Sequence, residues 1–137
     1  MNALKGFKLR NLRQRDIALA VVVLLVLAFR WWTSGGERQP PEAVAAAVAV
    51  GAQVLDVRTD REWNAGHVAG AVHADVLGGD FEQRVASLDR QRPVYVYCAS
   101  GARSGRAAGR LEAMGFAEVV NAGGFRQLAA AGVPTER

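Results

Sequence analysis

The chain of 137 residues has a single cysteine, Cys98, and only two histidines, His67 and His73. One thiol excludes an intrachain disulfide and any cysteine-based zinc cluster. Two histidines would hold a metal only with carboxylates recruited from elsewhere, so no metal and no cofactor is expected. A basic surface on the folded part is missing as well. The formal charge is +4, but residues 1–40 carry seven Lys or Arg against two acids, whereas the remainder carries ten Arg against eleven acids. A near-neutral domain, with aromatics at 7% of the chain, offers neither the electrostatic footprint nor the stacking platform of a nucleic-acid binder. No internal repeat is visible. Half of the residues are hydrophobic and 22% are charged, a globular composition in the size range of one compact domain.

One long apolar run stands out. Residues 17–29 (IALAVVVLLVLAF) contain no polar position, follow five basic residues, and precede Arg30, Trp31 and Trp32. Thirteen helical residues rise about 20 Å, short of a hydrocarbon core of about 30 Å. Arg30 can snorkel and the tryptophans suit the interface, which extends the usable span to about residue 33. Ten Ile, Leu, Val or Phe residues contribute roughly −3 to −6 kcal/mol to insertion. The expected organisation is a basic cytoplasmic segment (1–15), a transmembrane helix or signal-like segment (16–33), a linker (34–41) and a folded domain (42–137). An uncleaved membrane anchor and a cleaved signal both remain open, Thr33-Ser34-Gly35 being the nearest match to a cleavage site. The charge bias keeps the N-terminus in the cytoplasm and sends the domain across the membrane in either case.

Beyond the Gly-, Ser- and Pro-containing linker, Pro41 suits the first position of a helix over 42–49. Residues 53–57 read as a buried strand. Thr59 with Glu62 is a capping-box pattern opening a short helix that Gly66 ends. Residues 71–73 suggest a strand, 81–88 a helix, 94–97 (VYVY) the strongest strand, 104–114 a helix, 118–120 a strand, and 124–131 a last helix after an Asn-Ala-Gly-Gly turn. Alternating strands and helices predict an α/β fold with a mainly parallel central sheet flanked by helices, whose sites form beyond the carboxyl ends of the strands.

Cys98 follows the VYVY strand, in the loop CASGARSG that leads into the next helix. Ala99, Ser100, Gly101, Ala102 and Ser104 are small enough for the backbone N–H groups of the loop, that of Arg103 included, to turn inward as an anion-binding nest. The helix dipole, Arg103 and Arg106 act in the same direction. Each favours thiolate, and lowering a thiol from about 8.5 to about 7 would raise the nucleophile at pH 7 roughly fifteenfold.

The runs LDVRTDREWNAGHVAGAVHAD and VYVYCASGARSGRAAGRLEAMGFAEVVNAGGF, covering nearly all of residues 42–132, resemble the rhodanese domain. Asp56-Val57-Arg58, Glu62, Gly66-His67-Val68, the cysteine loop and Asn121-Ala122-Gly123-Gly124 stand in the family's order. The resemblance extends to the small phage-shock-protein-E-like enzymes of the bacterial periplasm. It implies that Cys98 takes the outer sulfur of thiosulfate or a related anionic donor as a persulfide and passes it to cyanide or a thiol, a protein thiol included. The N–H groups of residues 99–104 would hold the persulfide sulfur, Arg103 would hold the donor with Arg106 assisting, and no metal is needed.

Asp56 and Arg58 read as a supporting pair beneath the loop, His67 as a structural turn residue, His73 and Asp75 as no dyad, and Trp63 as packing. Three rivals compete with sulfur transfer. A phosphatase of the same general fold is disfavoured because, as the resemblance implies, such enzymes carry one more residue between cysteine and arginine than the four found here. A non-catalytic binding module would not require a cysteine, so the presence of Cys98 favours catalysis; a persulfide-sensing module, which uses the same thiol, stays open. Thiol-disulfide exchange lacks a Cys-x-x-Cys partner.

Overall fold

The computed structural model describes residues 38–137 together with residue 17 and residues 19–25. The chain divides into two units, Met1–Thr33 and Ser34–Arg137. In the first unit the described residues are helical with exposed side chains. The expected membrane segment at 16–33 falls mostly outside the described residues, among which no helix is long and apolar enough to cross a membrane.

The second unit alternates helices and strands: α1 (Pro41–Ala49), β1 (Gln53–Asp56), α2 (Asp60–Ala65), β2 (His67–Val68), β3 (Val72–His73), α3 (Phe81–Arg84) running into a 3₁₀ turn (Val85–Ser87), β4 (Val94–Cys98), α4 (Ala102–Ala113), β5 (Val119–Gly124), α5 (Phe125–Ala130) and β6 (Thr135–Glu136). The main sheet has the order β3-β1-β4-β5 with every pairing parallel. A small antiparallel pair, β2 with β6, stands apart from it.

Side-chain alternation along β4 sorts the core into two layers. Val94, Val96 and Cys98 face a cluster with Phe81, Val85, Ala107 and Leu111, so α3 and α4 cover one face. Tyr97, with Val54, Ala122 and Leu128, faces Val44 of α1, and α1 and α5 cover the other. Cys98 therefore points toward the α4 face because it is in step with Val94 and Val96.

Several boundaries differ from the sequence expectations. The Asn-Ala-Gly-Gly stretch is not a turn but the end of β5. The register shifts between Val96 and Tyr97, whose partners are Asn121 and Gly123, so Ala122 is the extra residue of a bulge and Gly123 adopts φ +81°. His67 lies in β2 rather than in a turn. The residue Arg38, assigned by composition to the linker, bridges Asn121 in parallel, and the Gln39 N–H donates to the Asn121 carbonyl at 3.0 Å. The domain thus starts earlier than its composition suggests.

Candidate active site

Cys98 is the last residue of β4 and is fully buried. The chain leaves the strand through Ala99 and Ser100 and turns at Gly101, whose left-handed φ of +97° starts α4. That conformation is open to glycine at little cost. It aims the Gly101 N–H at Cys98 Sγ, 3.0 Å away. Gly124 closes the loop from the other side, where a Cβ would stand 2.6 Å from the Ala99 carbonyl oxygen. Burial alone pushes the Cys98 thiol up, but the backbone N–H groups of Ser104, Ser100 and Gly101 and the Ser104 hydroxyl outweigh it, so its pKa lies below that of an ordinary thiol. The first turn of α4 adds its dipole in the same sense.

Asn121 ties this loop to β5. Its Nδ2 donates to the Gly101 carbonyl at 3.1 Å, and its Oδ1 accepts from the Gly123 N–H at 3.0 Å. The Ser104 Oγ lies 2.8 Å from Asn121 Oδ1, 3.0 Å from the Gly101 carbonyl and 3.7 Å from Cys98 Sγ. One hydroxyl proton serves these three acceptors, so it can turn to the sulfur when the thiolate forms. Arg38 braces the outside of the loop, donating from Nη2 to the Ser100 carbonyl at 2.6 Å.

The arginines are distributed differently from expectation. Arg103, expected to hold the anionic donor, instead forms a two-pronged pair with Glu62, Nη1 to Oε2 at 2.8 Å and Nη2 to Oε1 at 2.7 Å. Glu62 is held at about 2, first by Arg103 and then by the Thr59 cap, within a complete capping box at the start of α2. Arg106 is exposed on α4 and takes part in no ion pair among the described residues. Arg58 is buried against Asp56, Nη2 to Oδ2 at 2.7 Å, and donates to the Gly66 carbonyl at 2.6 Å. This pair supports the Gly66 turn rather than the cysteine loop's backbone. The Arg58 guanidinium also lies 4.4 Å from the centre of the Phe125 ring.

Beside the loop opens a cleft of about 470 Å³, lined by Glu62, Ala65, Gly66, Ala99, Phe125 and Arg126, with Arg58 also reaching it. Trp63 stacks on His67 at 3.4 Å and on His73 at 4.8 Å between ring centroids. The His73 Nε2 meets the Arg58 carbonyl at 2.8 Å, while Asp75 accepts from its own turn at the Leu77 N–H. His73 and Asp75 therefore serve separate local structure. Sequence reasoning gave no role to Asn121, Arg38, Phe125 or Arg126. Asn121 was visible as part of a motif, but its partners lie 17 and 20 positions away.

Residues 40–131 match the Rhodanese-like domain family. The chain is 38% identical over 91 residues to the thiosulfate sulfurtransferase GlpE of Pseudomonas fluorescens, covering 65% of this chain and 81% of that one. It is 35% identical over 77 residues to the thiosulfate sulfurtransferase PspE of Escherichia coli, covering 55% and 72%. The chain spans 60% of the length of another relative, the Bacillus subtilis protein YqhL, at 39% identity over 77 residues. Among solved structures, the rhodanese-like domain of an Anabaena protein superposes with a TM-score of 0.63 at 30% identity, covering 72% of this chain and 77% of that one. A rhodanese from Escherichia coli with bound anions gives 0.54 at 30% identity, covering 64% and 99%. The chain belongs to the rhodanese family.

Proposed function

We propose that the protein is a sulfurtransferase that moves sulfane sulfur from thiosulfate, or a related anionic donor, to cyanide or a thiol through a persulfide on Cys98. The observation that carries this reading is the N–H of Gly101 donating to Cys98 Sγ at 3.0 Å, in a loop whose N–H groups pull the thiol pKa down. Thiolate is the attacking form of cysteine. The Cys98 thiolate attacks the outer sulfur of thiosulfate, the sulfur–sulfur bond breaks, and sulfite leaves with the bonding pair. The charge then rests on the outer persulfide sulfur, where inward N–H groups stabilise it as an oxyanion hole does. An acceptor attacks that sulfur, and Cys98 departs as thiolate. No step calls for a proton donor beyond the acceptor's own thiol.

The test is intact mass of the full chain before and after thiosulfate, with Cys98→Ser alongside. A gain of roughly one sulfur, ~32 Da, confined to the native chain and reversed by cyanide, is expected. No gain from thiosulfate or another sulfane donor, with Cys98 reduced, would leave the non-catalytic module as the better reading.

The apolar run of residues 17–29 motivates a second part of the proposal, that this segment tethers the domain to the inner membrane with the domain in the periplasm. Full-length chain resisting alkaline carbonate extraction from membranes, and digested by protease added to spheroplasts, is the expected behaviour. Recovery in the soluble periplasmic fraction with a shortened N-terminus would replace the anchor by a cleaved signal.

A further inference from the structure

The cleft beside the cysteine loop is larger than the proposed donor requires. At about 30 Å³ per water-sized group, the five heavy atoms of thiosulfate account for roughly 150 Å³, about a third of the cleft's 470 Å³. Cyanide needs less. The volume lies instead within the range of small organic ligands, about 300–1,000 Å³.

The lining states which organic ligand fits. Of its three charged residues, Arg58 and Glu62 are already neutralised, by Asp56 and Arg103 respectively, and Arg103 itself does not line the cleft. Arg126, on the first turn of α5, is exposed and forms no ion pair or side-chain hydrogen bond among the described residues. The uncompensated charge of the cleft is therefore a single positive one. Apolar surface from Phe125, Ala65 and Ala99 accompanies it, and Phe125 is fixed from below by the Arg58 guanidinium. One cation beside a fixed aromatic ring and two methyl groups suits a molecule with an anionic group and a short hydrocarbon part.

We propose that this cleft receives the sulfur acceptor, an organic thiol bearing a carboxylate or similar anion, with Arg126 contacting the anion and Phe125 and Ala65 covering the hydrocarbon. This rests on the persulfide reading above. The thiol sulfur attacks the outer sulfur of the Cys98 persulfide and a new sulfur–sulfur bond forms. The old one breaks, Cys98 leaves as thiolate, and the acceptor departs as its own persulfide with the proton it brought. Arg126 is a specificity-determining residue in this scheme, since it selects the acceptor by charge and leaves the reacting sulfur to the loop.

The experiment uses full-length chain loaded with thiosulfate, freed of excess donor, and verified by mass to carry one added sulfur. Discharge is then followed in a single turnover with mercaptopropionate, mercaptoethanol and cysteamine, which are anionic, neutral and cationic. The variants are Arg126→Ala, Arg126→Glu and, as a control, Arg90→Glu, which lies ahead of β4 at the opposite end of the strand from Cys98. Dividing each variant's rate by the wild-type rate for the same thiol cancels the intrinsic reactivity of that thiol. Arg126→Glu is expected to slow mercaptopropionate roughly tenfold and speed cysteamine severalfold, with mercaptoethanol changed by less than about twofold. Arg126→Ala should give about a third to a half of that discrimination, and salt near 1 M should erase most of it, as for an exposed charge. Equal factors for all three thiols, or the same discrimination from Arg90→Glu, would overturn the assignment. A chain that never gains sulfur on loading would overturn the persulfide reading instead, before any acceptor is added.

Discussion

The cysteine loop and the cleft wall beside it control charge by different means. Around Cys98 the donors are backbone N–H groups held by glycine geometry, with Ser104 and Asn121 as the side chains that lock them. Along the wall the control is by side chains in pairs, Asp56 with Arg58 and Glu62 with Arg103. Backbone dipoles cannot move away and carry no side-chain entropy, so they suit the persulfide sulfur of the proposed transfer. Paired side chains set shape and leave Arg126 as the adjustable charge. In the proposed transfer, reactivity is thus built into the main chain, and acceptor selection into replaceable side chains.

The two wall pairs differ in burial, and this gives the largest expected effect. The Asp56 side chain is fully buried, its partner Arg58 nearly so. Asp56→Ala strands a buried guanidinium and is expected to cost about 3–5 kcal/mol, read by urea unfolding of the folded domain. A loss below about 1 kcal/mol would mean that water or another acceptor replaces the carboxylate.

Next comes Gly124→Ala, which drives a Cβ into the Ala99 carbonyl. Overpacking of this kind costs about 1–3 kcal/mol, and because the atom it meets is main chain, the loop has to shift. Alkylation of Cys98 at neutral pH should slow by roughly tenfold, following the lost fraction of thiolate. An unchanged alkylation rate would contradict the role given to loop geometry.

Glu62→Gln removes the wall's half-exposed pair and keeps a capping-box residue at that position. The expected loss is about 1 kcal/mol or less, as for a partly exposed pair. Its pH dependence has a definite sign. Glu62 sits at about 2 when folded, below its ordinary 4.5. Its contribution is therefore fully present above about 4.5 and is lost as pH falls toward 2. The difference in melting temperature between wild type and Glu62→Gln should shrink over that window. A difference independent of pH would assign the effect to packing.

The smallest effect is expected at Arg38, which is exposed and donates to the Ser100 carbonyl. Arg38→Ala should lower Cys98 alkylation by about twofold to threefold, since one hydrogen bond to an exposed loop is worth about 1 kcal/mol or less. A change as large as that of Gly124→Ala would move control of the loop from its backbone to this side chain.

Much of this arrangement was legible in the sequence where the determinants are local. The parallel α/β order, the Thr59–Glu62 capping box and the placement of Cys98 beyond the central strand all depend on residues close together in the chain. Contacts across the chain were not legible. Arg103, expected to end the loop, lies in the first turn of α4, and its carboxylate partner is 41 residues away. Two-residue strands such as β2 and β6 are too short to carry a periodicity. The bulge at Ala122 turned an apparent Asn-Ala-Gly-Gly turn into a strand end, because glycines mark both features. Arg126 resembled any exposed helix arginine until the cleft gave it a setting.

The most direct test of backbone activation is titration of Cys98 in the full chain by ultraviolet thiolate absorbance, with Cys98→Ser as the blank. A midpoint below the free-thiol value of about 8.5 is expected, moving back upward in Gly124→Ala. A midpoint at or above about 8.5 in the native chain would contradict it, because burial would then outweigh the N–H groups that the loop turns toward the sulfur.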